Sequence, residues 1–208
     1  MYTPHLKKYP QLTTNTISLH IRRGDYLINS GNHHNLSLKY YEEALKYFPD
    51  RQVVIFSDDT GTIFYTSERG RIIWKQNIYK KAYKKINKNI FFSIYKNIIY
   101  VVDNIGFVYS IDSKDGKILW IRNYEVPIKS SIKVFGNKIF LINQDNKIFS
   151  LDVANGNKIW DSAIQGGRQE WGWGVVETFF RKIVVVGSTQ SFGSGLYDII
   201  LSEIVEPN

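Results

Sequence analysis

The spacing of apolar positions changes character near residue 57. Before it, "TISLHI" (residues 16–21) has the pattern of a short strand. After a polar loop, Leu38, Tyr41, Leu45 and Phe48 recur at helical spacing, with Ser37 placed as an N-cap and Pro49 as a stop, which predicts a helix over about Leu38 to Phe48. "QVVIF" (residues 52–56) then reads as a continuous apolar strand. Strand, helix and strand make one βαβ unit, whose right-handed crossover leaves the two strands parallel. Such units bind ligands beyond the carboxyl ends of their strands, and Arg22, Arg23, Ser57, Asp58 and Asp59 fall there.

From residue 61 onward the pattern repeats. "GTIFYTSERGRIIW" (61–74), "GFVYSIDSKDGKILW" (106–120) and "NKIFSLDVANGNKIW" (146–160) share a strand, a polar turn with Gly, and a second strand ending in Trp. The stretches "NIIYVVDNI" (97–105) and "NKIFLINQD" (137–145) also match. Units of roughly 40 residues with four short strands each are the signature of propeller blades. The expected fold is therefore mainly β with an N-terminal βαβ unit, followed by a partial β-propeller of about three to four four-stranded blades. Residues 97–160 are expected to form antiparallel meanders turning at Asn104-Ile105, Lys114-Asp115-Gly116 and Asn155-Gly156. Trp74, Trp120 and Trp160 are expected to be core residues that dock one blade on the next.

Composition narrows the chemistry. With 208 residues and 43% hydrophobic content the chain can bury a core, and the absence of cysteine removes disulfides, thiolate metal sites and cysteine nucleophiles. Net charge is +8, from 27 Lys+Arg against 19 Asp+Glu, and would favour anionic partners. No apolar run is long enough for a membrane span, and the opening "MYTPHLKKYPQL" lacks a signal peptide's apolar stretch. The compartment is taken as cytoplasmic by default. His5, His20, His33 and His34 lack ligand spacing, so no metal is expected. The lysines of "KQNIYKKAYKKINKN" (75–89), interleaved with Tyr79 and Tyr83, could engage single-stranded nucleic acid, but the expectation is a solvated, charged strand face. Arg23-Gly24-Asp25 spells an adhesion tripeptide and Asn35-Leu36-Ser37 a glycosylation sequon, both meaningful only outside the cell.

Residues 52–163 resemble the pyrroloquinoline-quinone-like repeats of quinoprotein dehydrogenases and of the propeller lipoprotein of outer-membrane assembly, on the turn before "G-K-x-x-W". Those relatives are often periplasmic. The tail, with "WGWGVVE", "VVVGST" and "SFGSGLYD", resembles another bacterial propeller-like repeat. Residues 1–59 resemble bacterial alpha-1,2-fucosyltransferases, through "HIRRGDYL", "YYEEAL" and "VIFSDD" in that order. The resemblance implies that His20, Arg22, Arg23, Gly24, Asp25 and Tyr26 line a GDP-fucose donor site, where guanidinium forks would pair with phosphate oxygens. The domains expected are 1–59, a βαβ fragment of a nucleotide-sugar-binding domain; 60–163, the quinone-like repeats; and 164–208, a divergent repeat. "VVIFSDDTG" satisfies both family patterns, so the chain reads as a mosaic joined at one shared strand.

The fucosyltransferase family's later "NSSFSWWGAWL"-like segment has no counterpart here. The expected function is therefore a non-catalytic propeller-repeat scaffold or interaction module carrying a relic glycosyltransferase fragment. The alternative is a GDP-fucose-binding fragment of a fucosyltransferase, acting on a galactoside. No cofactor is expected: a quinone site in the catalytic relatives needs a complete ring, a bound calcium and residues from many blades. GDP-fucose is at most a weak ligand. The expected partners are another protein or a second copy, met through unpaired blade edges, and not nucleic acid.

Overall fold

The computed structural model describes residues 16–21, 38–49, 51–57, 61–67, 71–79, 88–164, 170–180, 182–192 and 197–204. Strands β1 (Thr16–Ile21), β2 (Gln52–Ser57), β3 (Thr62–Thr66) and β4 (Ile72–Asn77) form one sheet in that order, with helix α1 (Leu38–Leu45) between β1 and β2. A second sheet runs β5 (Ile90–Tyr95), β6 (Ile98–Asp103), β7 (Phe107–Asp112) and β8 (Ile118–Asn123). The third runs β9 (Lys133–Phe135), β10 (Lys138–Ile142), β11 (Lys147–Asp152) and β12 (Lys158–Ala163). The last has three strands, β13 (Glu170–Glu177), β14 (Ile183–Thr189) and β15 (Asp198–Ile204). This is the expected partial propeller, with three strands of its last sheet among the described residues.

Sheets two and three are meanders because their turn residues accept the left-handed backbone that tight hairpins need. Lys96-Asn97 (φ 48° and 63°) and Gly136-Asn137 (φ 55° and 64°) close the first hairpins. The three polar turns fall where expected, and no helix interrupts the described residues 97–160. The second sheet begins earlier than the sequence pattern suggested, at Ile90 rather than residue 97. Lysine at the first turn position is a weak hairpin signal, so β5 was not resolved as a strand from its pattern.

The first sheet is built differently. β1 and β2 are parallel, in register from Thr16↔Gln52 to Ile21↔Ser57, as the βαβ reading requires. β2 then pairs antiparallel with β3, as β6 does with β7. A strand delivered by a helical crossover thus occupies the place that a hairpin partner fills in the other blades. The expected boundary between residues 59 and 60 falls between β2 and β3 of this one sheet. The helix ends at Leu45 rather than Phe48. Its last turn tightens into three-residue bonds, with the Tyr47 N–H donating to the Ala44 carbonyl (3.3 Å) and the Phe48 N–H to the Leu45 carbonyl (3.0 Å), because Pro49 disfavours helical geometry at the residue before it.

Three cores lie between successive sheets. Ile63, Tyr65 and Trp74 pack with Ile99, Val101, Tyr109 and Ile111; Val102 and Val108 with Ile139, Leu141 and Leu151; Phe140 and Ile148 with Val175, Ile183 and Val185. Each fully buried aliphatic side chain is worth about 1.5–3 kcal/mol, which makes face-to-face stacking the main driving force. The middle strands β6, β7, β10 and β11 are almost wholly buried, whereas the fourth strands β8 and β12 are mostly exposed. A fourth strand therefore needs a device of its own to hold it to the next blade.

Candidate functional site

That device starts with a bulge. Trp74 opposes Tyr65, Trp120 opposes Ser110 and Trp160 opposes Ser150, and after each pair the register skips one residue. The skipped residues, Ile73, Leu119 and Ile159, stand about half exposed at 51%, 47% and 47%. The bulge aims the adjacent tryptophan toward the next sheet instead of along its own.

Two complete joints result. The Trp74 indole Nε1–H donates to the Ser113 carbonyl at 2.8 Å, and the Trp120 Nε1–H to the Val153 carbonyl at 3.0 Å. Both acceptors lie in the turn between the third and fourth strands of the following blade. Asp112 and Asp152 shape these turns, their carboxylates accepting from the Lys114 and Ala154 amides at 2.8 and 2.7 Å. Gly116 and Gly156 close them at φ 76° and 71°. A Cβ on Gly116 would sit 2.7 Å from the Trp74 ring, and one on Gly156 2.6 Å from Trp120. Only glycine satisfies both the backbone and the ring.

Trp74 and Trp120 thus reach across to the next blade, and Trp160 packs against the core between the third and last sheets; Gly116 and Gly156 lie in the turns the sequence pattern marks, but their contacts with the tryptophan of the preceding blade and the carbonyl acceptors are not legible in that pattern. The Trp74 ring has no face open to a quinone. Trp74 lies between the stacked Tyr65 ring (5.3 Å, 15°) and Gly116, leaving no face for a flat cofactor.

A second feature lies at the same sheet junction. Asp103 is fully buried at the end of β6, where its Oδ1 accepts from the amides of Ile105 (2.9 Å), Gly106 (3.0 Å) and Phe107 (2.9 Å). Burial raises its carboxyl above the ordinary carboxylate range, although those amides pull it down. Asn143 takes the matching place in the third sheet, with Oδ1 accepting from the Lys147 amide at 2.9 Å. Burial also pushes the Tyr79 phenol far up, and the Lys88 ammonium lies 5.0 Å over its ring. Tyr79 and Lys88 are 6% and 4% exposed, so the expected solvated face fails at both: their apolar parts fill the gap between the first and second sheets.

Of the expected donor-site residues, His20 belongs to β1, its backbone opposite Phe56. Arg22, Arg23, Gly24, Asp25 and Tyr26 lie outside the described residues. β1 and β2 do end side by side, at Ile21 and Ser57. Among the described residues no three His, Asp or Glu side chains converge as a metal site would require, and no helix is long and apolar enough to cross a membrane.

Known proteins divide along the same line. The chain is 50% identical over 52 residues to the O-antigen biosynthesis glycosyltransferase WbnK of Escherichia coli, covering 22% of this chain and 17% of that protein. It is 26% identical over 73 residues to the quinoprotein ethanol dehydrogenase of Pseudomonas putida, 31% of this chain and 12% of that protein. It thus spans less than a fifth of either curated relative. The fold is similar to BamB from Moraxella catarrhalis (TM-score 0.50, 16% identity, 62% of this chain and 38% of that one) and to the computationally designed Ika4 protein (TM-score 0.54, 16% identity, 74% and 86%). The chain is a mosaic with a glycosyltransferase-like part and quinone-like repeats. The family model for the outer membrane protein assembly factor BamB matches residues 42–192, the span that holds β2 to β14 and every tryptophan joint, and the chain belongs to that family.

Proposed function

We propose that the chain is a non-catalytic scaffold whose blades present surface to a protein partner, and that its N-terminal segment is a glycosyltransferase relic retained as structure. The observation that carries this reading is the outer face of the last sheet. Trp171, Trp173, Val176, Ile199 and Leu201 stand 38–75% exposed there, and Tyr197 stacks on Trp171 at 5.2 Å. In the other sheets the equivalent faces are buried against a neighbour, and an apolar patch of this kind marks an interaction surface. The family's description as an assembly factor agrees with such a role. A photo-crosslinking amino acid at Trp173 should form discrete protein adducts in cells, while the same group at exposed Glu43 on α1 should form none. Equal adducts at both, or none at either, would remove the reading.

The parallel ends of β1 and β2 and the glycosyltransferase match support a second reading, a weak GDP-sugar site at Arg22 and Arg23. Thermal titration with GDP and GDP-fucose tests it. A midpoint that rises with GDP, and fails to rise in Arg22→Ala and Arg23→Ala, would establish binding. An unchanged midpoint up to millimolar ligand would dismiss it.

A further inference from the structure

The joints between blades differ at one position. Directly after each fourth strand one amide donates to the carbonyl that precedes the third strand: Ile78 to Gly61 (3.0 Å), Tyr124 to Gly106 (2.9 Å) and Ile164 to Asn146 (3.0 Å). These three residues are equivalent, but only Tyr124 carries a ring. That ring packs on Phe149 of the next blade (5.6 Å, 52°), and its hydroxyl donates to the Gly156 carbonyl. Along the repeat, Phe149 and Gly156 correspond to Tyr109 and Gly116. At that earlier joint, between the first and second sheets, Ile78 has no ring to place on Tyr109. A cavity of about 430 Å³ lies there, lined chiefly by Ile78, Tyr79, Phe107, Tyr109, Ile118 and Ile121. Its lining is uncharged, because Lys158 and Asp161, ion-paired at the later joint, correspond here to Ile118 and Ile121. Ile121 is 41% exposed, so the cavity opens past it, while the buried Tyr79 and Tyr109, edge to face at 6.4 Å, form its inner wall.

We infer that this cavity binds a small uncharged phenol, whose ring takes the place beside Tyr109 that Tyr124 takes beside Phe149, and whose hydroxyl donates to the Gly116 carbonyl. The inference goes beyond the scaffold reading and does not depend on it. The chain itself builds the arrangement one joint along, where ring and hydroxyl belong to Tyr124. The volume lies within the range of about 300–1,000 Å³ of small-molecule pockets, which combine apolar and aromatic walls with a few polar groups. Tilted and edge-on rings attract one another beyond the area they bury, so Tyr109 and Phe107 select an aromatic ligand. A charged ring compound is disfavoured, because an ion held among Ile78, Ile118 and Ile121 loses its water and gains no partner. A hydrocarbon ring fits but leaves the carbonyl without its donor.

The test titrates p-cresol, a tyrosine side chain without its backbone, into the full chain and reads binding by calorimetry and by saturation transfer to the ligand's ring protons. One site with a Kd of about 1 mM is expected, and toluene should bind about fivefold more weakly for want of the hydroxyl. The carboxylate of para-hydroxybenzoate should prevent binding at the same concentrations. Ile78→Tyr should abolish p-cresol binding, since the chain's own ring then fills the cavity as Tyr124 does one joint along. Ile121→Trp should block the same cavity from its exposed side, where a substitution disturbs folding little, and so decides the matter even where Ile78→Tyr does not fold. Tyr83→Ala should leave the affinity unchanged. No saturation by about 10 mM p-cresol, equal binding of toluene or para-hydroxybenzoate, binding that survives either blocking substitution, or affinity that rises in Tyr83→Ala would each overturn the inference, the last by giving the cavity to another ring of this chain.

Discussion

Replacing Gly156 by alanine tests whether the tryptophan joint holds the blades together. Two costs are superposed there. The backbone sits at φ 71°, where an L side chain costs about 1 kcal/mol, and the new Cβ would lie 2.6 Å from Trp120 Cζ3 and 2.9 Å from both Trp120 Cε3 and Arg122 Cγ. Overpacking of that kind costs about 1–3 kcal/mol more. Gly136 separates the two terms, because it has φ 55° and nothing within 4 Å of an added Cβ. Gly136→Ala should therefore destabilise by about 1 kcal/mol and Gly156→Ala by about 2–4 kcal/mol, read from urea unfolding followed by far-ultraviolet dichroism and fluorescence. In a Trp120→Leu background the ring is gone and the flexible Arg122 side chain can move aside, so most of the excess at Gly156 should disappear. Equal losses at the two glycines in the wild-type background, or an excess that persists without the Trp120 ring, would refute the joint as the origin of the glycine requirement.

Trp120→Phe should cost about 1–2 kcal/mol in the same unfolding assay, since the Val153 carbonyl loses its 3.0 Å donor at a blade contact. Asp103 should make stability pH-dependent in a defined direction. Its carboxyl is raised in the folded chain chiefly by burial, so the native state holds that proton more tightly than the unfolded one. The stabilisation is present below the ordinary carboxylate range, from about pH 4 downward, and is lost as pH rises through the raised value. Asp103→Asn, which copies Asn143 in the next sheet, should then gain on the wild type in urea midpoints as pH rises above about 4; a constant difference would count against the burial argument. Light scattering at micromolar concentration should show dimers or larger species that Leu201→Lys dissolves, Leu201 being 69% exposed on the last sheet; a monodisperse monomer in the wild type would contradict this.

Much of this architecture is visible in the pattern of side chains. The repeated turn and its terminal Trp locate the third and fourth strands of three blades, because glycine at positive φ and an alternating apolar strand leave a strong local imprint. The helix is equally plain, from Leu38, Tyr41 and Leu45 to the stop at Pro49. What the pattern hides is non-local. β5 is masked by a turn whose first residue is Lys96 in a left-handed conformation. That β1 completes a propeller sheet depends on pairing between Thr16 and Gln52, which no local periodicity encodes. The buried Lys88 reads as solvent-facing because it sits between Asn87 and Asn89 in a lysine-rich stretch, and the Tyr79 ring beneath it reverses that. Trp160, whose indole N–H has no acceptor among the described residues, is indistinguishable in sequence from Trp74 and Trp120, since any acceptor belongs to the blade after it.

The parallel pairing of β1 with β2 has a consequence for the order in which the chain can assemble. Every strand of the second and third sheets finds its neighbour across a short turn, as Tyr95 finds Ile98, and such closures are fast because little chain entropy is lost before contacts form. β1 leaves the ribosome before β2 but must wait until the helix and β2 have followed, and its partner strand can meanwhile form its hairpin with β3. The edge of β2 is then left bare during synthesis, an apolar strand with open main-chain groups. The segment that carries β1 thus acts as a built-in late clasp on a stack that otherwise zips from turn to turn, and its arrival closes an edge open to mispairing with other nascent chains.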